Sequence, residues 1–599
     1  PEEKVFVIVY MNTEYPYEAI EGMTPQEKCI VFETVALNSQ RDVVNYLGFL
    51  PQEKAEVVAQ FWIFNGFHLK ATKDVIQELA RCDDIWHISH NAVIKLDAFK
   101  GEEVNDQRAP EWNISKIMAD SCWTAGFNGT GIIIGQIDTG VFKDHVAFAG
   151  KWLAPYWYDA VNGQPEPYDD NDHGTHTMGT ICGGDGPGPF VNDIGVAYGL
   201  RYIPTKAFRA DGSAYLSWIQ ACMQYLADIK QQGIDIRVIN NSWGIADGSY
   251  LGFWTAVLNW KNLGVFPVFS NGNRGPGAGT VGAPASYPLT IGVGSTNFAD
   301  NISSWSSRGP APNISPINDP QYWYYPTWNL LKPDVSAPGE NIRSSLRNGS
   351  YGWMSGTSMA APHIAGGTAV LLQKNSSLTV NDLYDLFRNY CDQPSQGAPY
   401  PNNNYGWGRI NLWRSLQHVP SADKPNVFLI STAVVNDNNN NGKLDPGENA
   451  GIVCYLRNTG AAAATNTTAR LRTSDIYITL LDSTTSYGTI PAGDSVNNSS
   501  DPFTLSVSPS CPVGRIVDFQ LYIVCAESSW TRNFSLTVGQ PGLDYVTHDC
   551  GNCQFTVTRY GALGFMGSSQ IGGVGFKYPA AGENHLFYGG IAVGNAAGY

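Results

Sequence analysis

The chain has 599 residues; at roughly 150 residues per domain this is room for about four domains and excludes a single small module. Thirty-seven Lys and Arg against 53 Asp and Glu leave a formal charge of −16, which argues against nucleic acid or an acidic membrane surface as the main partner. Glycine and proline make up about one residue in six while 43% of residues are hydrophobic, the balance of a loop-rich folded protein rather than a disordered one. No apolar run is long enough for a membrane-spanning helix, and no basic-then-apolar leader precedes Pro1. Eleven cysteines are an odd and scattered set, so at least one lacks an intramolecular partner. The CxxC at Cys550 and Cys553 has no second pair of matching spacing, which leaves a disulfide, free thiols or a redox pair ahead of a metal site.

Residues 1–105 read as a small mixed domain. An apolar run at 4–10, a helical stretch in the 20s to 40s, a second apolar run FWIFNGFHL (61–69), a helix ATKDVIQELARC and final strands in IWHISHNAVIKL follow one another. Thr72 is placed to cap the second helix. This order fits a split β-α-β, ferredoxin-like α+β layout. A polar junction, KGEEVNDQRAPEW, comes next. Over 106–424 short strands such as GIIIGQID, YIPTKAF, IRVINNSW, GVFPVFSNG and LTIGVGS alternate with helices such as SWIQACMQYLADIKQQG. That alternation predicts an α/β domain with a largely parallel sheet, whose functional groups collect beyond the carboxyl ends of its strands. Over 425–540 the texture becomes short Thr-, Ser- and Asn-rich strands, which predicts a β-sandwich. Residues 541–599 are also β-like and Gly-rich, with no closing element, so continuation past Tyr599 is expected.

At the head of the sandwich region, DNNNNGKLDPGE (437–448) fits a calcium loop. Asp437, Asn439, Asn441, the Lys443 carbonyl, Asp445 and Glu448 fall at ligand positions 1, 3, 5, 7, 9 and 12, with Gly442 at the sharp turn. Strands rather than paired helices flank it, so the expectation is a structural Ca2+ that pins the start of the sandwich; an Asn-rich turn is the plain alternative. Millimolar extracellular calcium suits such a loop.

Four separated motifs carry the chemistry: GQIDTG (135–140), DHGTHTMGT (172–180), SNGNRGPG (270–277) and GTSMAAPHIAGG (356–367). A serine hydroxyl is a poor nucleophile at neutral pH; it needs a base within hydrogen-bond reach, and the base needs an acceptor that holds its tautomer. Ser358, His173 and Asp138 can supply those parts. Each has a plainer reading alone: Asp138 a strand-ending turn residue, His173 with His176 an HxxH lacking a third ligand, Ser358 a helix N-cap. Pro362 near the first turn fits a helix start, and His363 reads as a packing residue. Together the motifs resemble the subtilisin-like serine peptidases, the subtilase family, over about residues 112–420, in that family's order of Asp, His, Ser.

The resemblance implies a secreted endopeptidase with no organic cofactor. It implies Ser358 as nucleophile, His173 as base, Asp138 as its orienter and Asn273 as oxyanion donor, while Asn271 shapes the loop. It also implies a substrate strand laid between RADGSAY (209–215) and NNSWG (240–244), against Gly212, Ser242, Trp243 and Gly244, with Trp243 reshaping a subsite. Gly282 in TVGAPASYP (280–288) leaves the floor of the primary pocket open, from which a preference for large apolar or aromatic residues is expected. The first domain looks like the inhibitory propeptide of bacillopeptidase F-like subtilases, with cleavage falling in about 95–110. The partners implied are protein or peptide substrates and the chain's own propeptide, with no nucleic acid. A rival reading is a structural protein on a subtilase frame, silenced by a retained propeptide and assembling into an oligomer or filament through its β-rich regions. A third makes those regions targeting modules on an active enzyme.

Overall fold

The computed structural model describes residues 3–96, 99–104, 111–184, 193–322, 330–419, 425, 427–439, 441–458 and 462–539, with short strand stretches beyond 545. It divides into two units, Pro1–Asp423 and Lys424–Tyr599.

The first unit opens with a four-stranded antiparallel sheet in the order Ala55–Phe61, Gly66–Thr72, Lys4–Met11, Ile85–His90, with the helices Pro25–Phe49 and Lys73–Leu79 in the intervening crossovers. This is the expected ferredoxin-like order. The long helix starts at a capping box: Glu27 N–H donates to the Thr24 hydroxyl, and the Glu27 carboxylate accepts from Thr24 N–H at 2.7 Å. Two local expectations fail. Thr72 makes no capping bond, because its hydroxyl is drawn to the Asp74 carboxylate. FWIFNGFHL is a hairpin rather than one strand: Asn65, at φ 53°, turns the chain ahead of Gly66. The apolar Trp62, Ile63 and Phe64 on that turn are buried against neighbouring helices, so their hydrophobicity reports docking and not strand alternation.

The seven-stranded sheet that follows is parallel throughout. Its order is Val335–Pro338, Ile291–Thr296, Phe266–Ser270, Ile236–Asn241, Ile133–Asp138, Arg201–Lys206, Tyr158–Asp159. Its central strands are buried on both faces, as their continuous apolar runs require. Two clusters cover it: one holds Met223, Leu226 and Trp260 from the helices Leu216–Gln231 and Trp254–Asn262, the other Ile364 and Val370 from the helix Thr357–Lys374.

The second unit contains two antiparallel sheets whose strands share one apolar core, with Ile452, Cys454 and Leu456 from one and Leu471, Phe519 and Leu521 from the other. The nine described cysteines are free thiols, and Cys550 and Cys553 lie outside the described residues.

Within the first unit, the hairpin turn of the N-terminal domain sits on Leu216–Gln231 and Trp254–Asn262. Gln224 Oε1 accepts from Trp62 N–H at 2.7 Å, Asn259 Nδ2 donates to the Ile63 carbonyl at 2.8 Å, and Trp62 Nε1 donates to Asp228 Oδ1 at 2.8 Å. Burial in this contact, with Glu33 adding like charge, raises the Asp228 carboxyl to about 6 despite the Trp62 bond. The packed state therefore holds the proton more tightly than an unfolded aspartate of pKa about 3.9 does. Its stabilisation is complete below that value and is lost as pH rises through about 6. Thermal unfolding of the full chain between pH 4 and pH 7 is expected to show this fall, and Asp228→Asn to flatten it. Trp62→Ala should cost about 3–5 kcal/mol in denaturant unfolding, the usual loss for a buried large aromatic.

Candidate active site

Each motif lands at the carboxyl edge of the parallel sheet or at a helix start beside it. Asp138 is the last residue of its strand and is fully buried. His173 is the first residue of the helix His173–Cys182. Asp138 Oδ1 accepts from His173 Nδ1 at 2.7 Å and from Thr139 N–H at 2.7 Å, while Thr177 Oγ1 donates to Oδ2 at 3.2 Å. One carboxylate thus fixes the proton on Nδ1 and leaves Nε2 with its lone pair. Nε2 is buried without a hydrogen bond among the described residues, the state of a base awaiting a donor.

Ser358 is the second residue of the helix Thr357–Lys374 and is almost completely buried. Its hydroxyl donates to the Ser242 carbonyl at 2.9 Å, and the Ser242 hydroxyl donates to the Ser358 carbonyl at 2.8 Å. The second bond has a cause in the sequence. Pro362 lies inside this helix, not in its first turn as its position in the motif suggests, and has no N–H for the carbonyl four residues back. The carbonyl so released is that of Ser358, and Ser242 satisfies it.

Asn273 follows the strand Phe266–Ser270, and its Oδ1 accepts from both Thr357 N–H and Thr357 Oγ1 at 2.9 Å. That fixes the amide, whose Nδ2 lies 3.4 Å from where a Cβ on Gly356 would stand. A second donor direction is the backbone N–H of Ser358 at the helix start, where no intrahelical partner exists. Asn271 is buried and donates to the Ser307 carbonyl at 2.6 Å, a loop-shaping role as expected.

Gly244 and Gly282 face one another through the Ile245–Ala283 backbone pair, with N···O distances of 2.7 and 3.0 Å. A Cβ at Gly282 would come within 2.5 Å of the Ile245 carbonyl, so that backbone position admits no side chain. Trp243 is buried among Phe208, Phe253 and Phe269, with ring centroids at 6.4, 5.3 and 5.3 Å; its bulk fills the core beneath the NNSWG strand end. Gly212, at φ 76°, lends its carbonyl to Leu96 N–H at 2.9 Å.

Two further histidines are structural. His176 Nε2 lies 3.0 Å from the Ile342 carbonyl and 3.2 Å from that of Gly352, tying its helix to the hairpin Ile342–Ser345/Tyr351–Ser355. His363 is buried between the Met359 carbonyl and Asn113, and burial pushes it down to about 4, so it stays neutral. Sequence reasoning misses Ser242 as the partner of Ser358; the proline four residues after Ser358 is the signal that could have found it.

In the second unit, the 437–448 loop closes on itself. Asp437 Oδ2 accepts from the N–H groups of Asn441 and Gly442, Asp445 Oδ2 accepts from Asn439 and Asn441 Nδ2, and Glu448 Oε1 accepts from Asp445 N–H at 2.6 Å. Lys443 N–H donates to Asn441 Oδ1. Asp437 and Glu448 are both buried. Burial raises the Glu448 carboxyl, and the charges of Asp445 and Asp437 raise it further. The oxygen-bearing residue types suit a hard cation such as calcium, but among the described residues no group of three carboxylates, histidines or cysteines is placed to hold a metal, and Asn439 and Asn441 turn Nδ2 toward Asp445.

The profile of the subtilase family, Peptidase_S8, matches residues 129–408. Bacillopeptidase F of Bacillus subtilis is 32% identical over 423 residues, which cover 65% of this chain and 28% of that one. Subtilisin E of the same organism is 28% identical over 383 residues, covering 63% and 86% respectively. Subtilisin of Bacillus pumilus is 30% identical over 311 residues, 51% of this chain and 98% of its own length. With the sheet order, the placement of the four motifs and this near-complete coverage of a subtilisin in hand, the chain belongs to the subtilase family of serine peptidases.

Proposed function

We propose that the protein is a secreted, calcium-stabilised serine endopeptidase made with an N-terminal inhibitory domain. The observation that supports this most is the buried His173 imidazole, held by Asp138 at 2.7 Å with its Nε2 unpaired. Ser358 turns about χ1 from the Ser242 carbonyl toward Nε2, gives up its proton there and attacks the scissile carbonyl. Asp138 stabilises the imidazolium, and Asn273 Nδ2 and Ser358 N–H receive the oxyanion. His173 then returns the proton to the leaving amine as the acyl-enzyme forms. Water, deprotonated by the same imidazole, releases the product acid and restores Ser358.

The backbone of residues 93–104 supports the inhibitory reading. Val93–Lys95 pairs antiparallel with Ser213–Tyr215, and Phe99–Val104 pairs antiparallel with Tyr351–Ser355, three residues before Ser358. Strand pairing of this kind on either side of Asp97-Ala98 is the way a substrate chain would be held. Processing is therefore proposed between Leu96 and Phe99, within the sequence Asp97-Ala98, which lies outside the described residues. The calcium loop supports an extracellular setting, where millimolar metal is available.

Intact mass and N-terminal sequencing should find wild type beginning at residue 97, 98 or 99, and Ser358→Ala at full length and inert on casein. Asn273→Ala should process slowly and lose about 100- to 1,000-fold in kcat with little change in KM, a magnitude carried over from donor removal in a subtilisin. A Ser358→Ala chain that trims itself at the same bond would refute the assignment. Calcium should raise the Tm of the second unit, chelation should lower it, and Glu448→Gln should remove most of the response. Without metal, the raised Glu448 carboxyl makes that unit lose stability as pH rises through the carboxylate range.

A further inference from the structure

The helix that presents His173 begins without a cap of its own. Its N-cap residue, Asp172, stands at φ 93°, a left-handed conformation that a residue other than glycine rarely takes, and its side chain makes no capping bond. That carboxylate is turned to Arg347 instead, whose N–H donates to Oδ1 at 3.2 Å. The first three N–H groups of the helix, at His173, Gly174 and Thr175, have no intrahelical acceptor, and these residues are buried, so each must find one elsewhere.

They find it through Asp169. His173 N–H donates to Asn171 Oδ1 at 3.3 Å, Gly174 N–H to the Thr139 hydroxyl at 2.8 Å, and Thr175 N–H to Asp169 Oδ2 at 2.9 Å. The same Oδ2 accepts from Thr175 Oγ1 at 2.6 Å. Asp169 Oδ1 accepts from Thr139 Oγ1 at 2.9 Å, from Asn171 N–H at 2.8 Å and from Asp172 N–H at 3.3 Å. Thr139 directly follows Asp138, and Thr175 lies two residues after His173. One buried carboxylate therefore grips the strand end that carries Asp138, the helix start that carries His173 and the left-handed turn just ahead of it. Thr139 is fixed from its other side by the fully buried Lys206, whose Nζ donates to the Thr139 carbonyl at 2.8 Å and to that of Phe208 at 2.7 Å. The fit is close: a Cβ on Gly174 would come within 2.1 Å of the Gly140 carbonyl.

We infer that Asp169 is a positioning residue for the reaction, setting the separation and angle of Asp138 and His173 through the Thr139 hydroxyl. Its bonds go to Thr139, Asn171, Asp172 and Thr175, and none among the described residues goes to the Asp138 carboxylate, the His173 ring or Ser358, so it acts by placement. A helix start that shifted would lengthen the 2.7 Å Asp138–His173 bond and swing Nε2 off the serine, while leaving the strands that receive substrate where they are. The inference rests on the peptidase reading above.

The test compares Asp169→Asn, Thr139→Ala and the double variant with wild type on one peptide substrate, each matured by a trace of tagged wild-type enzyme that is then removed. Each single change is expected to lower kcat about 10- to 100-fold with KM unchanged. The double variant should lose no more than the worse single one, because both break one linkage. Thr139→Ser, which keeps the hydroxyl, should recover most of what Thr139→Ala loses. In proton NMR the low-field resonance of the His173 Nδ1 proton should move upfield in Asp169→Asn. Losses that multiply in the double variant, a change confined to KM, or an unmoved Nδ1 proton overturn the inference. Should Asp169→Asn fail to fold, Thr139→Ala and Thr139→Ser decide it: equal kcat in the two overturns the inference, and recovery in the second supports it. Labelling of Ser358 by diisopropyl fluorophosphate separates the two levels. An active, labelled wild type whose variants keep its kcat overturns this inference alone, whereas an unlabelled and inert wild type overturns the peptidase reading with it.

Discussion

Two serines in reciprocal contact hold the site together. Ser242 gives its hydroxyl to the carbonyl of Ser358, and Ser358 gives its own to the carbonyl of Ser242. The first of these bonds exists because Pro362 deprives the helix of one donor, and the freed carbonyl must find another in a buried setting. Through this pair the end of a central strand is locked to the start of a long helix. The segment that carries Ser242 and the helix start that carries Ser358 are thereby tied to one another. Asp138 and His173 are set against them from the adjacent strand and from the helix packed across it.

Much of this arrangement was legible in the sequence because its cause is local. A run such as GIIIGQID can only be a buried strand that ends in a carboxylate, and the small residues after Thr357 let a helix start close to its neighbours. What the sequence hides are outcomes of competition. Thr72 has two acceptors in reach, and Asp74 wins over the cap. Trp62, Ile63 and Phe64 look like strand residues because they are apolar, yet they are apolar on account of helices more than 150 positions away in the chain. Trp243 stands within NNSWG, a segment expected from the motif to take substrate, but its ring is claimed by three phenylalanines. In each case periodicity and motif identify the residue, and tertiary packing decides which face of it is used.

The N-terminal domain is built for contact with the helical layer instead of for independence. Its second core, around Val9, Phe67 and Leu69, closes the sheet against its own helices, while Phe32, Trp62 and Phe64 belong to a cluster shared with Met223 and Trp260. Such a domain carries an apolar face that stays dry only while docked. The carboxylate of Asp228 lies in that same contact, so the polar and apolar parts of the interface are made and lost together.

Two strands serve as rails for the tail of the N-terminal domain: Ser213–Tyr215 pairs with Val93–Lys95, and Tyr351–Ser355 with Phe99–Val104. Main-chain pairing is blind to side-chain identity, since every residue but proline offers the same donor and acceptor. The tail of the N-terminal domain is therefore free to vary along most of its length without losing its hold, and the rails impose a spelling rule of a negative kind. Proline is barred wherever an N–H is spent on a rail, as at Leu96.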